Sequence, residues 1–136
     1  MARFDKSLVA VTSRSFSTNQ FLVKKLKESY PNVSLNLTGK TLKENELVKF
    51  LATADKAIVG IEIIDKDILD QLPKLKLISK YGVGLNNLDL DECKKRNIQI
   101  KFQPGSNKQS VAEFTLLLML NSLRQVHNNK TEIIEG

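Results

Sequence analysis

Apolar positions along the chain alternate between strand-like runs and helix-spaced stripes. Residues 7–11 (SLVAV) form a short, mostly apolar strand candidate. Ser17 and Gln20 fit a capping box, with Phe16 and Phe21 placed as a hydrophobic staple, and Phe21, Leu22 and Leu26 mark the apolar face behind them. Pro31 lies just past the end of that helix. Val33, Leu35 and Leu37 then alternate with Ser34 and Asn36, the pattern of a strand with one polar face. Thr41 and Glu44 fit a second capping box, ahead of the stripe Leu47, Val48 and Leu51. Residues 56–60 (KAIVG) read as a buried strand. Asp65 caps a short helix that Pro73 stops, residues 75–79 read as the next strand, and Asp89 caps a further short helix ending near Asn97. Ile98, Ile100 and Phe102 alternate as a fifth strand. Ser110 and Glu113 fit a capping box opening the longest helix, expected to run to about Val126.

Five strands separated by four helices imply parallel strands joined by right-handed crossovers. Near-continuous apolar strands fit a sheet covered on both faces. The expected fold class is therefore α/β: a flavodoxin-like, doubly wound, five-stranded parallel sheet. The long last helix has no strand after it and is expected to lie outside that sheet.

Composition narrows the function. The 136 residues fit one domain, or one with an appendage, and a hydrophobic share of 41% with 26% charged residues is ordinary for a soluble globular chain. The net charge of +6 could suggest nucleic acid, but the lysines are scattered among acids. Only 6% of residues are aromatic, so no basic stripe interleaved with stacking rings can form. No nucleic-acid partner is expected, and the charge is left as an attractor of small anions. The longest near-apolar segment, residues 114–120, is far short of a membrane span. The first residues do not read as a signal peptide. The single Cys93 points to a reducing, cytoplasmic setting and is expected to be a buried, inert thiol.

Candidate chemistry gathers in residues 77–113. Gly82 and Gly84 follow a strand, where open α/β sheets bind ligands, and glycine lets backbone N–H groups approach a ligand closely. A dinucleotide fingerprint would need G-x-G-x-x-G opening a helix directly; here Asn87 stands at the third glycine position. Pyrophosphate binding at this loop is rejected, and a tight turn without a ligand stays the alternative. Asn107 offers a side-chain donor and acceptor ahead of the positive end of the last helix. Together the two segments would present exposed N–H groups suited to a small carboxylate. His127, the only histidine, sits in a polar tail without partners spaced for a metal. No Ser/His/Asp set, metal cluster or P-loop can be assembled.

The segment Tyr81 to Leu90 (YGVGLNNLDL), followed by Asn107, then Ser110 to Glu113 (SVAE), then Leu123, Arg124 and Gln125, resembles the D-isomer-specific 2-hydroxyacid dehydrogenase family in order and spacing. That family includes D-3-phosphoglycerate dehydrogenase, glyoxylate reductase and formate dehydrogenase. The resemblance implies a substrate-binding or lid domain over residues 1–103, then a linker and interdomain helix over 104–136 leading to a Rossmann NAD domain. It implies an enzyme that transfers hydride between C2 of a 2-hydroxy acid, such as 3-phosphoglycerate, and a nicotinamide. It assigns Gly82, Val83, Gly84 and Asn107 to substrate binding, with Val83 also facing the nicotinamide end of NAD. Lys80 stands where phosphoglycerate members often carry a base that reaches the substrate's phosphate.

Three departures stand out. Asn86 replaces the usual Asp, and Val59 and Gly60 occupy positions where many phosphoglycerate members have Arg-Ser. The family's catalytic Arg, Glu and His belong to its Rossmann domain and have no counterpart here, so no turnover is expected from this chain by itself. The alternative is a stand-alone small-anion-binding or regulatory module on the same fold. Leu116 to Leu120 and Leu123 make the last helix apolar around most of its circumference, which leads to an expected homo-oligomer through that helix.

Overall fold

A computed structural model describes residues 5–124. It forms two compact units, the first ending at Pro104 and the second beginning at Gly105. The first holds strands β1 (Val9–Val11), β2 (Val33–Leu35), β3 (Lys56–Val59), β4 (Leu77–Lys80) and β5 (Gln99–Lys101). Its helices are α1 (Arg14–Thr18), α2 (Gln20–Ser29), α3 (Glu44–Leu51), α4 (Lys66–Asp70) and α5 (Leu90–Lys95). The described part of the second unit carries α6 (Lys108–Arg124).

The five strands form one sheet in the order β2-β1-β3-β4-β5, and every pairing is parallel. This is the flavodoxin-like doubly wound order. β1 is an interior strand and wholly buried, so its three residues carry no polar face. At the edge, β5 alternates exposed and half-buried residues. Leu47 and Leu51 from α3, Ile68 and Leu69 from α4 and Cys93 from α5 join Ala57, Val59 and Ile78 of the sheet in one core. Cys93 is fully buried, and burial pushes its thiol pKa up, which keeps it protonated and unreactive.

Two capping signals hold. Asp65 accepts from the Ile68 N–H at 3.0 Å, and Asp89 from the Glu92 N–H at 2.9 Å. The three boxes begun by Ser or Thr do not. Ser17 lies inside α1, where its hydroxyl donates to the Val11 carbonyl at 3.4 Å. Ser13 caps α1, and Asn19 caps a separate α2 by accepting from the Leu22 N–H at 3.1 Å. The staple is absent as well, since Phe21 is 67% exposed. Phe16 instead meets the edge of Tyr81, with ring centroids 5.4 Å apart. Thr41 caps nothing: α3 starts at Glu44, after Lys43, which makes no side-chain cap bond. Ser110 lies within α6, whose first turn is anchored by the Val111 N–H donating to the Asn107 carbonyl at 3.0 Å. The Glu113 carboxylate accepts from the Gln109 amide, not from a backbone cap.

The second strand stops at Leu35, because Asn36 turns inward. Its amide donates to the carbonyls of Thr12 (2.8 Å) and Lys40 (2.9 Å), and Leu37 is left exposed. In α6 no described residue is buried. Gln125, Val126 and His127 lie outside the described residues.

Candidate functional site

Parallel strands place the loops after β1, β3 and β4 at one edge of the sheet. Gly82 has φ +145°, a backbone conformation that side chains disfavour, so the turn after β4 requires glycine. Lys80, Gly82, Val83 and Gly84 line a single open cavity of about 310 Å³, together with Ile61, Tyr81, Asn86 and Asn87. Among the described residues, the N–H groups of Gly82, Val83 and Gly84 donate to no acceptor. Three consecutive unengaged amides on an exposed loop are suited to an anion with two oxygens. Asn107, the fifth expected substrate contact, belongs to the second compact unit, where it is exposed and directly precedes α6.

Lys80 is half-buried. Its ammonium donates to the Gly60 carbonyl and to Asn87 Oδ1 (2.6 Å). The Asn87 amide in turn donates to the carbonyls of Glu62 (2.5 Å) and Gly60 (3.3 Å). One carboxamide and one ammonium thus fasten the loop after β3 to the loop after β4. Burial pushes the Lys80 pKa down, opposed by the negative charge of Glu62. The backbone reinforces this join: Ile64 donates to the Asn87 carbonyl at 2.8 Å, and Asp89 to the Ile64 carbonyl at 2.9 Å.

Glu62 is the residue that reading the sequence missed. It is 3% exposed, while its neighbours Ile61 and Ile63 are 68% and 66% exposed, an inversion of the usual preference. Glu62 Oε2 accepts from the Thr12 hydroxyl at 2.8 Å and from the Gly60 N–H at 2.9 Å. Gly60 is closely packed: a Cβ there would come within 3.2 Å of the Ser13 Cβ and 3.3 Å of Glu62 Oε2, so a neighbour would have to give way. The only signal in the sequence was one acid inside an Ile-Glu-Ile-Ile run directly after a strand.

The described residues contain no cluster of three potential metal ligands. No helix among them is long and apolar enough to cross a membrane. They do not fit a dinucleotide either. The glycine loop does not open a helix, the next helix begins only at Leu90, and the full chain has no G-x-G-x-x-G. Val83, expected from the resemblance to face the nicotinamide end, is half-buried on the loop.

An open parallel sheet with a glycine loop at its carboxyl edge defines an α/β small-ligand-binding domain. The family can be stated. Residues 9–134 match the model for the D-isomer specific 2-hydroxyacid dehydrogenase catalytic domain, and the chain belongs to that family. Over 103 residues it is 31% identical to a hydroxypyruvate reductase of Thermotoga maritima, an alignment covering 75% of this chain and 34% of that protein. Its fold matches an acyclic imino acid reductase in complex with NADPH and D-Arg (TM-score 0.84, 20% identity, 94% of this chain and 41% of that one). It also matches the NAD+-bound 3-phosphoglycerate dehydrogenase of Entamoeba histolytica (TM-score 0.70, 23% identity, 86% and 39%). At these identities the structural likeness is one of fold. The chain spans about a third of the length of the hydroxypyruvate reductase it matches.

Proposed function

We propose that this chain is the substrate-binding domain of an NAD-dependent D-2-hydroxyacid dehydrogenase, and that the loop from Gly82 to Gly84 holds the carboxylate of a small 2-hydroxy or 2-oxo acid. One observation carries this reading: three adjacent N–H groups stay unengaged on a turn that only glycine adopts comfortably, and they line a cavity beside an ammonium. Lys80 contributes positive charge to the cavity and fixes the loop's position. Oriented amides bind a carboxylate without the flexibility of long side chains, so the acid's C2 is presented in a fixed orientation. Nicotinamide chemistry is supplied by polypeptide carrying a dinucleotide fingerprint, which this sequence does not contain.

The test is a titration of the ¹⁵N-labelled 136-residue chain with pyruvate and with pyruvamide, its neutral analogue. Pyruvate is expected to move the amide resonances of Gly82, Val83 and Gly84, and pyruvamide to leave them in place. The same preparation, given NAD and a panel of 2-hydroxy acids, is expected to show no hydride transfer. Equal responses to the two ligands, or turnover by the chain alone, would refute the proposal.

A further inference from the structure

A second cavity, of about 420 Å³, opens beside the glycine loop and shares Ile61 and Tyr81 with the first. Ser13, Arg14, Ser15 and Glu62 also line it. Glu62 is almost entirely buried, and its two hydrogen bonds both fall on Oε2. Oε1 accepts none. Since no buried side-chain oxygen or nitrogen among the described residues lacks a partner, Oε1 is not sealed in the interior; it reaches the cavity that Glu62 lines. No described cation lies within ion-pair distance of this carboxylate, and the nearby Lys80 spends its bonds on Gly60 and Asn87. A buried acid thus offers one free acceptor to whatever enters. The hydroxyls of Ser13 and Ser15, 3.3 Å apart, add groups that can donate or accept.

We infer that this cavity is the subsite for the tail of the 2-hydroxy or 2-oxo acid, and that Glu62 selects tails carrying a hydroxyl over apolar or anionic ones. The inference rests on the proposed function, which seats the carboxylate at Gly82 to Gly84 in the adjoining cavity. A hydroxyl tail donates to Oε1 and satisfies it. A methyl tail displaces water from Oε1 and returns nothing, and an unpaired buried acceptor is costly. A phosphate or carboxylate tail meets like charge where water screens poorly. Arg14 does not reverse this: it is exposed at the rim, its guanidinium donates to the Gly39 carbonyl at 3.2 Å, and solvent and salt weaken its pull.

The labelled chain is titrated with hydroxypyruvate, pyruvate and 3-phosphohydroxypyruvate. All three share the carboxylate and differ in the tail. Hydroxypyruvate and pyruvate are expected to move Gly82 to Gly84, but only hydroxypyruvate to move the Ser13 and Gly60 amides as well. Its Kd is expected to be about tenfold lower than that of pyruvate, the factor matching one hydrogen bond, with the phosphorylated ligand weakest. Glu62→Gln keeps the size and an acceptor oxygen while removing the charge, and is expected to narrow the gap between hydroxypyruvate and its phosphate ester. The wild-type series decides the matter even where that variant does not fold. Equal affinity for pyruvate and hydroxypyruvate, or tighter binding of the phosphate ester, with Gly82 to Gly84 still responding, overturns the tail subsite alone. No response at Gly82 to Gly84 to any ligand overturns the carboxylate assignment and the subsite with it.

Discussion

The loops after β3 and β4 leave the same edge of one sheet and are built in opposite ways. The first is closed: Gly60 and Glu62 are buried, their carbonyls accept from Lys80 and Asn87, and Glu62 Oε2 accepts from Thr12 and the Gly60 N–H. The second is open: Gly82 and Gly84 are exposed, and the amides from Gly82 to Gly84 are left unengaged. Buried hydrogen bonding is concentrated in one loop and exposed glycine backbone in the other. The carboxylate cradle proposed for this bare backbone would hold its shape because the neighbouring loop clamps it through Lys80 and Asn87.

The largest break comes from the clamp. Asn87→Ala removes two donors and the acceptor for the Lys80 ammonium, and it strands the Glu62 carbonyl. Urea denaturation should show a loss of about 2 to 3 kcal/mol, with amide exchange rising across both loops. Next comes Gly82→Ala. Its Cβ would meet only the Lys80 Cε at 3.5 Å, so the cost is in the backbone at φ +145° and not in crowding. A loss of about 1 to 2 kcal/mol is expected, with pyruvate binding weakened and the Glu62 bonds intact. If instead the alanine variant kept full stability and affinity, the open loop would not depend on its glycine.

The difference between the two loops also decides what could be read in advance. The five parallel strands, the glycine turn and the Asp65 and Asp89 caps were legible, because each shows in a local sequence pattern. The two caps have a further reason to hold: Ile64 and Leu88, the residues just before them, bridge to each other, which fixes the chain's entry into both helices. Ser17 and Ser110 carry the same kind of signal, but their helices begin elsewhere. Ser17 is drawn to the Val11 carbonyl, and α6 begins two residues before Ser110. Glu62 was invisible for the opposite reason. Strand reading ended at Gly60, and nothing within a few residues of Glu62 announces that Thr12, 50 positions earlier, bonds its carboxylate. A partner that distant leaves no periodic trace.

Lys80 ends β4 and leads by sequence into the open loop, while its bonds tie it to the closed one, so its titration shows which description governs. Its folded pKa is lowered from 10.5, with burial the main cause. Between the lowered value and 10.5 the unfolded chain binds more protons at this site than the folded chain does. Stability contributed by this group must therefore rise with pH through that window and level off above 10.5. A neutral amine still donates to Gly60 and Asn87, so the clamp survives the loss of charge. Lys80→Met abolishes the titration and both bonds; near neutral pH the loss is expected to be about 1 kcal/mol or less, because relief of the buried charge offsets part of it. The measurement is stability against pH from 8 to roughly 11 for both proteins, taken as a difference so that the other lysines cancel. An advantage of wild type that grows with pH makes Lys80 a strut of the closed loop. A flat difference would mean that folding leaves the Lys80 charge unperturbed and would refute the strut; a falling one would mean the folded protein prefers the cation, and Lys80 would then stand as an anion-binding group of the open loop.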